Sequence, residues 1–184
     1  MRLSVFYVPS MKNTFQYLTL LAGLSAGVLM ADTAAPATEA QAPAVTAQAA
    51  SVVGDYLNQV TFLTGKPMED AQYYIYLYSA SWCPPCRALM PSIVKLYPTL
   101  KENKVEIILV SCDSNDAEAK KYVEHYNAGF PGLHAGSAAA RKLPGTLEIR
   151  SIPSAIFVDA QGNVIKAGSG RLILEWEKIL KPQK

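Results

Sequence analysis

The stretch SASWCPPCRALMP, from Ser79 to Pro91, sets Cys83 and Cys86 three residues apart, with Pro84 and Pro85 between them and Trp82 in front. Two thiols at that spacing can be a redox couple, half of a metal site or a structural disulfide. Zinc needs about four ligands, supplied by a second cysteine pair or by closely spaced histidines. The other candidates in the chain are Cys112, His125 and His134, which offer neither arrangement, so no metal is expected. A structural disulfide suits an exported protein. A ring this small, however, closes little chain and stabilises little. Redox exchange makes the fullest use of the residues present.

That chemistry needs a particular frame. If a strand ends near Ser79, Cys83 stands at the mouth of the helix that follows. Unpaired backbone N–H groups and the positive end of the helix dipole favour an anion there. A thiolate so placed has its pKa lowered from about 8.5 and becomes the attacking form near neutral pH. Cys86, one turn later and further inside, is then the natural resolving thiol. Pro84 and Pro85 suit a first helical turn, where their missing N–H groups would be unpaired anyway. They also stiffen the ring formed on oxidation.

The elements that must hold this mouth are readable in outline. Gln72–Ser79 (QYYIYLYS), Val105–Ser111 (VEIILVS) and Ala155–Asp159 (AIFVD) are aromatic and β-branched runs expected as buried strands. After AIFVD, Ala160–Asn163 reads as a turn into a further strand, Val164–Lys166. Leu89, Ile93, Leu96 and Leu100 form one stripe of a helix expected from Pro85 to about Lys101. Pro91 and Pro98 fall inside it, where each removes a hydrogen bond; Pro91 is expected to bend the axis and Pro98 to kink or shorten it. Asn115–His125 reads as a helix opened by an Asn115/Glu118 capping box, and Leu172–Leu180 as a closing amphipathic helix. The layout is α/β with a mixed sheet.

Upstream of these elements the composition changes. Lys12 and the uncharged run Leu18–Met30 precede the small residues ADTAAPA, so residues 1–31 read as a secretory signal peptide, with cleavage after Ala31 or Ala35. The run is shorter than the ~18 residues a membrane span needs. Residues 32–51, mostly Ala, Pro, Thr and Gln, read as a disordered linker. Residues 52–184 remain for one domain. Without Arg2 and Lys12 the chain carries 15 basic and 15 acidic residues. No basic cluster is interleaved with aromatics, which excludes a nucleic-acid role.

The segments YLYSASWCPPCRALMP, KVEIILVSCDSNDAEAKKY, FPGL and LEIRSIPSAIFVDAQGNVI resemble the thioredoxin superfamily, in particular its tryparedoxin and nucleoredoxin-like branch, which includes TlpA-like redoxins. The resemblance runs from about Gly54 to the C-terminus. It implies a thioredoxin fold, a central mixed β-sheet flanked by helices, and dithiol–disulfide exchange with Cys83 attacking and Cys86 resolving. It also implies that Pro153 is the superfamily's cis-proline, preceded by Ile152. On spacing alone Pro153 could equally be an ordinary loop proline. A cis-proline exposes the preceding backbone to a neighbour, so Ile152 could pair with a substrate's cysteine segment. Trp82 would wall the thiolate, and Pro84 and Pro85 would complete the substrate-facing surface.

One position departs from thioredoxins proper. Leu77 stands where they carry a buried acid beneath the second cysteine, and Glu69 and Asp70 cannot be placed relative to Cys86 from sequence. Cys112 reads as a small buried apolar residue, with a resolving or regulatory thiol as the alternative. His125 is expected at the surface, His134 in a loop, Arg87 in solvent and Trp176 in the core. The resulting expectation is an exported, monomeric, cofactor-free oxidoreductase, periplasmic or secreted, that reduces protein or small-molecule disulfides and is recycled by a membrane redox partner. Its rivals are a thioredoxin-fold binding module without turnover and an uncleaved, membrane-tethered redoxin.

Overall fold

β1 (Tyr73–Ser79) forms the middle of the sheet because both of its faces are apolar: Ile75 and Leu77 point one way, Tyr74, Tyr76 and Tyr78 the other, and all are buried. The computed structural model describes residues 51–181, residue 128 excepted. β2 (Val105–Ser111) lies parallel to β1 in the register Tyr73 to Val105 through Ser79 to Ser111. β3 (Gly132–His134) adds a parallel edge beside β2. On the other side β4 (Ser154–Asp159) runs antiparallel to β1, and β5 (Val164–Ser169) antiparallel to β4. The five-stranded sheet therefore has the order β3-β2-β1-β4-β5 and is mixed, as expected.

One face is covered by α2 (Pro84–Glu102), α3 (Asp116–Tyr126) and α5 (Trp176–Leu180). Leu89, Met90, Ile93, Tyr97 and Leu100 of α2 pack there with Ile75, Leu77 and Ile107, and Phe130 and Trp176 belong to the same cluster. The other face is covered by α1 (Val52–Asn58) and α4 (Ala138–Arg141), through Val53, Leu57 and Ala140, with Leu143 just past α4 in the same cluster. Each fully buried Leu, Ile or Phe contributes roughly 1.5–3 kcal/mol relative to exposure, so these layers hold the sheet rigid beneath its C-terminal edge. Among the described residues no helix is long and apolar enough to cross a membrane. The segments read as a signal peptide (residues 1–31) and, all but its last residue, as a linker (residues 32–51) lie outside the described residues.

Several boundaries differ from those expected. α2 continues past both Pro91 and Pro98 to Glu102, so Pro98 does not shorten it. Its buried stripe recurs every three or four residues along the whole length, and packing outweighs two lost N–H donors. Asn115 caps α3 by accepting the Glu118 N–H at 3.0 Å, but Glu118 reaches back to the Ser114 N–H (3.3 Å). The closing helix is divided: Gly170–Glu175 is a tight 3-10 helix, and only Trp176–Leu180 is α. The three-residue period of the first part keeps Gly170 and Ile173 on one buried side. α1, β3 and α4 are not anticipated by the periodicity, being too short to show it.

Candidate active site

β1 delivers the chain to Ser79, and Ala80–Trp82 turns it into the N-terminus of α2. Cys83 is the N-cap residue of α2, in extended conformation, and its Sγ receives the Cys86 N–H at 3.3 Å. Pro84 and Pro85 occupy the first helical positions, where no intrahelical N–H bond is forfeited. Since neither proline has an N–H, the sulfur at this cap meets one first-turn amide, that of Cys86, together with the positive end of the helix dipole, and both favour a thiolate. Cys83 and Cys86 are joined in a disulfide with Cα atoms 5.2 Å apart, and are only 4% and 1% exposed. The pair sits in a small apolar cluster with Ala80, against which Cys112 and Ile152 pack.

The peptide bond between Ile152 and Pro153 is cis. The Ile152 carbonyl oxygen lies 3.9 Å from Cys83 Sγ, so the backbone before the proline borders the sulfur directly. Trp82 is 60% exposed, an apolar ring at the rim of the cluster. Pro84 and Pro85 are also exposed, with Cys83 between them and Trp82. All seven sequence-selected residues thus gather at one end of the sheet, beyond the C-terminal ends of β1 and β2.

Leu77 is buried under α2 among Leu89, Met90 and Ile93, so the place of the expected acid is apolar. Glu69 and Asp70 precede β1 and line a cavity with Tyr73 and Asp159 at the opposite end of that strand. Seven strand residues at about 3.3 Å each separate them from the cysteines. They play no part at the dithiol; Asp70 pairs with Lys104 instead, and that pairing lowers its pKa.

Three residues that support the site escape sequence reasoning. Asp113, just past β2 and 4% exposed, accepts hydrogen bonds from the Ser81 N–H (3.0 Å), the Ser81 hydroxyl (2.6 Å) and the Ser111 hydroxyl (2.6 Å). It fastens the loop before Cys83 to the neighbouring strand. Ser81 is its partner, and the Ser81 carbonyl accepts a further bond from Arg87 Nη1 at 3.0 Å. Gly170 donates its N–H to Pro153 O (2.9 Å), and a Cβ there would come within 2.9 Å of Pro153 Cβ and 3.1 Å of Leu89 Cδ2. The acid in SCD and the glycine in GSG are visible in the sequence, but their partners are far away along the chain.

Cys112 is half-buried, and burial first, then the Asp113 charge, raises its thiol pKa, which keeps it protonated near neutral pH. His134 lies in β3 rather than in a loop, with Nε2 2.9 Å from Asp113 O and Nδ1 3.1 Å from Asp116 Oδ1. Among the described residues no cluster of three His, Cys, Asp or Glu side chains could hold a metal ion.

The comparisons with known proteins agree with this geometry. A thiol-disulfide oxidoreductase ResA of Bacillus thuringiensis is 32% identical over 111 residues, covering 58% of this chain and 62% of the relative's length. The chain thus matches less than two thirds of that relative. A nucleoredoxin of Xenopus laevis is 35% identical over 101 residues, 52% of this chain and 23% of that protein. The solved structure of a thiol:disulfide interchange protein from Chlorobium tepidum superposes with a TM-score of 0.55 at 26% identity, covering 66% of this chain and 89% of the other. The Thioredoxin-like family pattern matches residues 70–164, from the approach to β1, through the dithiol and the cis-proline, to the start of β5. Since that span is more than half of the chain and contains Cys83, Cys86 and the cis Ile152–Pro153 bond, the chain belongs to the Thioredoxin-like family.

Proposed function

We propose that this protein is an exported thiol–disulfide oxidoreductase that reduces disulfides through the Cys83–Cys86 dithiol. The observation that carries the reading is the Cys83 sulfur at the N-cap of α2, bordered by the Ile152 carbonyl and bonded to Cys86. In the reduced protein the Cys83 thiolate attacks one sulfur of a substrate disulfide. That S–S bond breaks, one substrate thiolate departs, and a mixed disulfide joins Cys83 to the remainder. Cys86, one turn along α2, loses its proton and attacks Cys83 Sγ, which releases the second substrate thiolate and closes the Cys83–Cys86 disulfide. Two electrons pass from the dithiol to the substrate, and neither metal nor organic cofactor is needed.

The environment of the pair supports the reducing direction. Burial in an apolar cluster opposes the stabilisation that the helix N-terminus gives the Cys83 thiolate, and so favours the oxidised form and a lower reduction potential than a solvent-open helix mouth would set. Arg87, the cation nearest in sequence, directs a nitrogen to Ser81 O. The Ile152 backbone and the exposed Trp82, Pro84 and Pro85 form the surface on which a protein or small-molecule disulfide would lie. Residues 1–31 direct export to the periplasm or beyond, where the protein works as a monomer and a membrane redox partner restores the dithiol.

Replacing the resolving thiol tests the reading. Cys86→Ser, offered a reduced-then-oxidised disulfide protein as substrate, should accumulate a covalent adduct through Cys83 that dithiothreitol releases. Binding that is unchanged by the substitution, with no adduct, would point to a binding module without turnover.

A further inference from the structure

We propose that the groove between α2 and α3, alongside the dithiol loop, docks an acidic segment of the disulfide-bearing partner; this rests on the redox reading above. The groove has a volume of about 220 Å³ and is bordered by Ser81, Arg87, Lys121, His125 and Tyr126. It begins at the active site. Ser81 lies two residues before Cys83, and the Arg87 N–H bonds to Cys83 O at 3.1 Å, one helical turn further on.

Its floor is aromatic. Tyr122 and Tyr126 meet edge to face with centroids 5.5 Å apart, and His125 and Tyr126 at 4.9 Å. The Tyr122 hydroxyl points inward to Ser79 Oγ (2.7 Å), which leaves ring surface rather than a polar group on the groove side. Its rim is cationic. Among the described residues Arg87 and Lys121 lack a salt-bridge partner, whereas the adjacent Lys120 pairs with Glu124. Arg87 spends only one of its several donors on Ser81 O. Glu118, the acid in the lining, accepts the Ser114 N–H at 3.3 Å and keeps its negative charge, so with Arg87 and Lys121 the lining is net positive by one.

An aromatic floor with two uncommitted cations suits a side chain with an apolar stem and a carboxylate end, as in glutamate. A partner strand whose cysteine lies at Cys83 advances about 3.3 Å per residue, so a carboxylate two or three residues away reaches the rim. With equal numbers of basic and acidic residues from Asp32 onward, the protein's net charge supplies no general pull on anions. The preference would come from the groove.

The test uses pre-reduced full-length protein, freed of reductant and mixed with excess disulfide, with oxidation of the dithiol followed in time. Three probes are compared: the symmetric disulfide of a short cysteine peptide flanked by glutamates, its lysine counterpart, and uncharged hydroxyethyl disulfide. The glutamate peptide should react about tenfold faster than the lysine peptide at low salt, and the ratio should shrink in high salt as the charges are screened. Lys121→Glu should erase that ratio, and Lys120→Glu should keep it. Equal rates for the two peptides in the parent protein, or an unchanged ratio in Lys121→Glu, would overturn the groove while leaving the redox reading intact. Failure to oxidise with any of the three probes would overturn the redox reading, and the groove with it.

Discussion

Asp113 holds the loop that presents Cys83, because a buried carboxylate with three donors around it has no alternative partner in water. Asp113→Ala would leave the Ser81 N–H and the Ser81 and Ser111 hydroxyls without their acceptor. Each buried unpaired group costs about 1–3 kcal/mol, so urea unfolding should show a loss of that order or more, with Asp113→Asn losing less because one acceptor oxygen remains. A change in stability below about 0.5 kcal/mol, typical of an ordinary surface substitution, would contradict the assignment. At this scale the sequence is unevenly legible. Cys83 and Cys86 can be picked out because their chemistry lies in a short local pattern, whereas Trp82 and Pro153 are singled out through the resemblance to the thioredoxin superfamily. Asp113 cannot, because its partner Ser81 is 32 positions away and only the pairing of β1 with β2 brings them together. Cys112 shows the reverse: its type suggests chemistry, but its surroundings keep its thiol protonated.

Between elements, the site depends on how the cis-proline loop, α2 and the final 3-10 helix are packed. Gly170 sits where all three meet, with an added Cβ landing 2.9 Å from Pro153 and 3.1 Å from Leu89. Gly170→Ala should therefore destabilise the fold by about 1–3 kcal/mol through overpacking. It should also slow disulfide reduction, since Pro153 and Ile152 must shift. Thermal unfolding together with a disulfide-reduction assay checks both, and a variant as stable and as active as the parent would show that this junction has slack. β1, β2, β4 and α2 are legible because long apolar runs and a sustained helical stripe leave one interpretation. β3 has three residues, one of them glycine, and α1 and α4 have seven and four residues, too few to show a period. The closing helix differs in form from its expectation because Leu172–Leu180 has a helical pattern, while the anchor at Gly170 tightens its first turns.

Across the whole molecule, the sheet separates two polar ends. The dithiol, Asp113 and the α2–α3 groove lie beyond the C-terminal ends of β1 and β2. Glu69, Asp70 and the buried Glu106 lie toward the ends where those strands begin. Glu106 is fully buried and accepts bonds from the Tyr97 hydroxyl (2.6 Å) and the Met68 N–H (2.6 Å), joining α2 to the chain before β1. Burial raises its pKa despite those donors, and its position makes it a structural acid rather than a partner of Cys86. The mixed sheet and its helical layers were legible as an α/β layout, but the distance between Glu69 and Cys86 was not, since adjacency in sequence says nothing about which end of a strand a loop serves. The central claim, that Cys83 and Cys86 form a reducing couple, is tested most directly by equilibrating the purified protein in graded dithiol buffers and trapping free thiols. We predict one two-electron transition of this pair at about −250 mV or below, within the range of reducing dithiol proteins. A midpoint near about −120 mV, where strong oxidants lie, or no interconversion of Cys83 and Cys86 across that range, would contradict it.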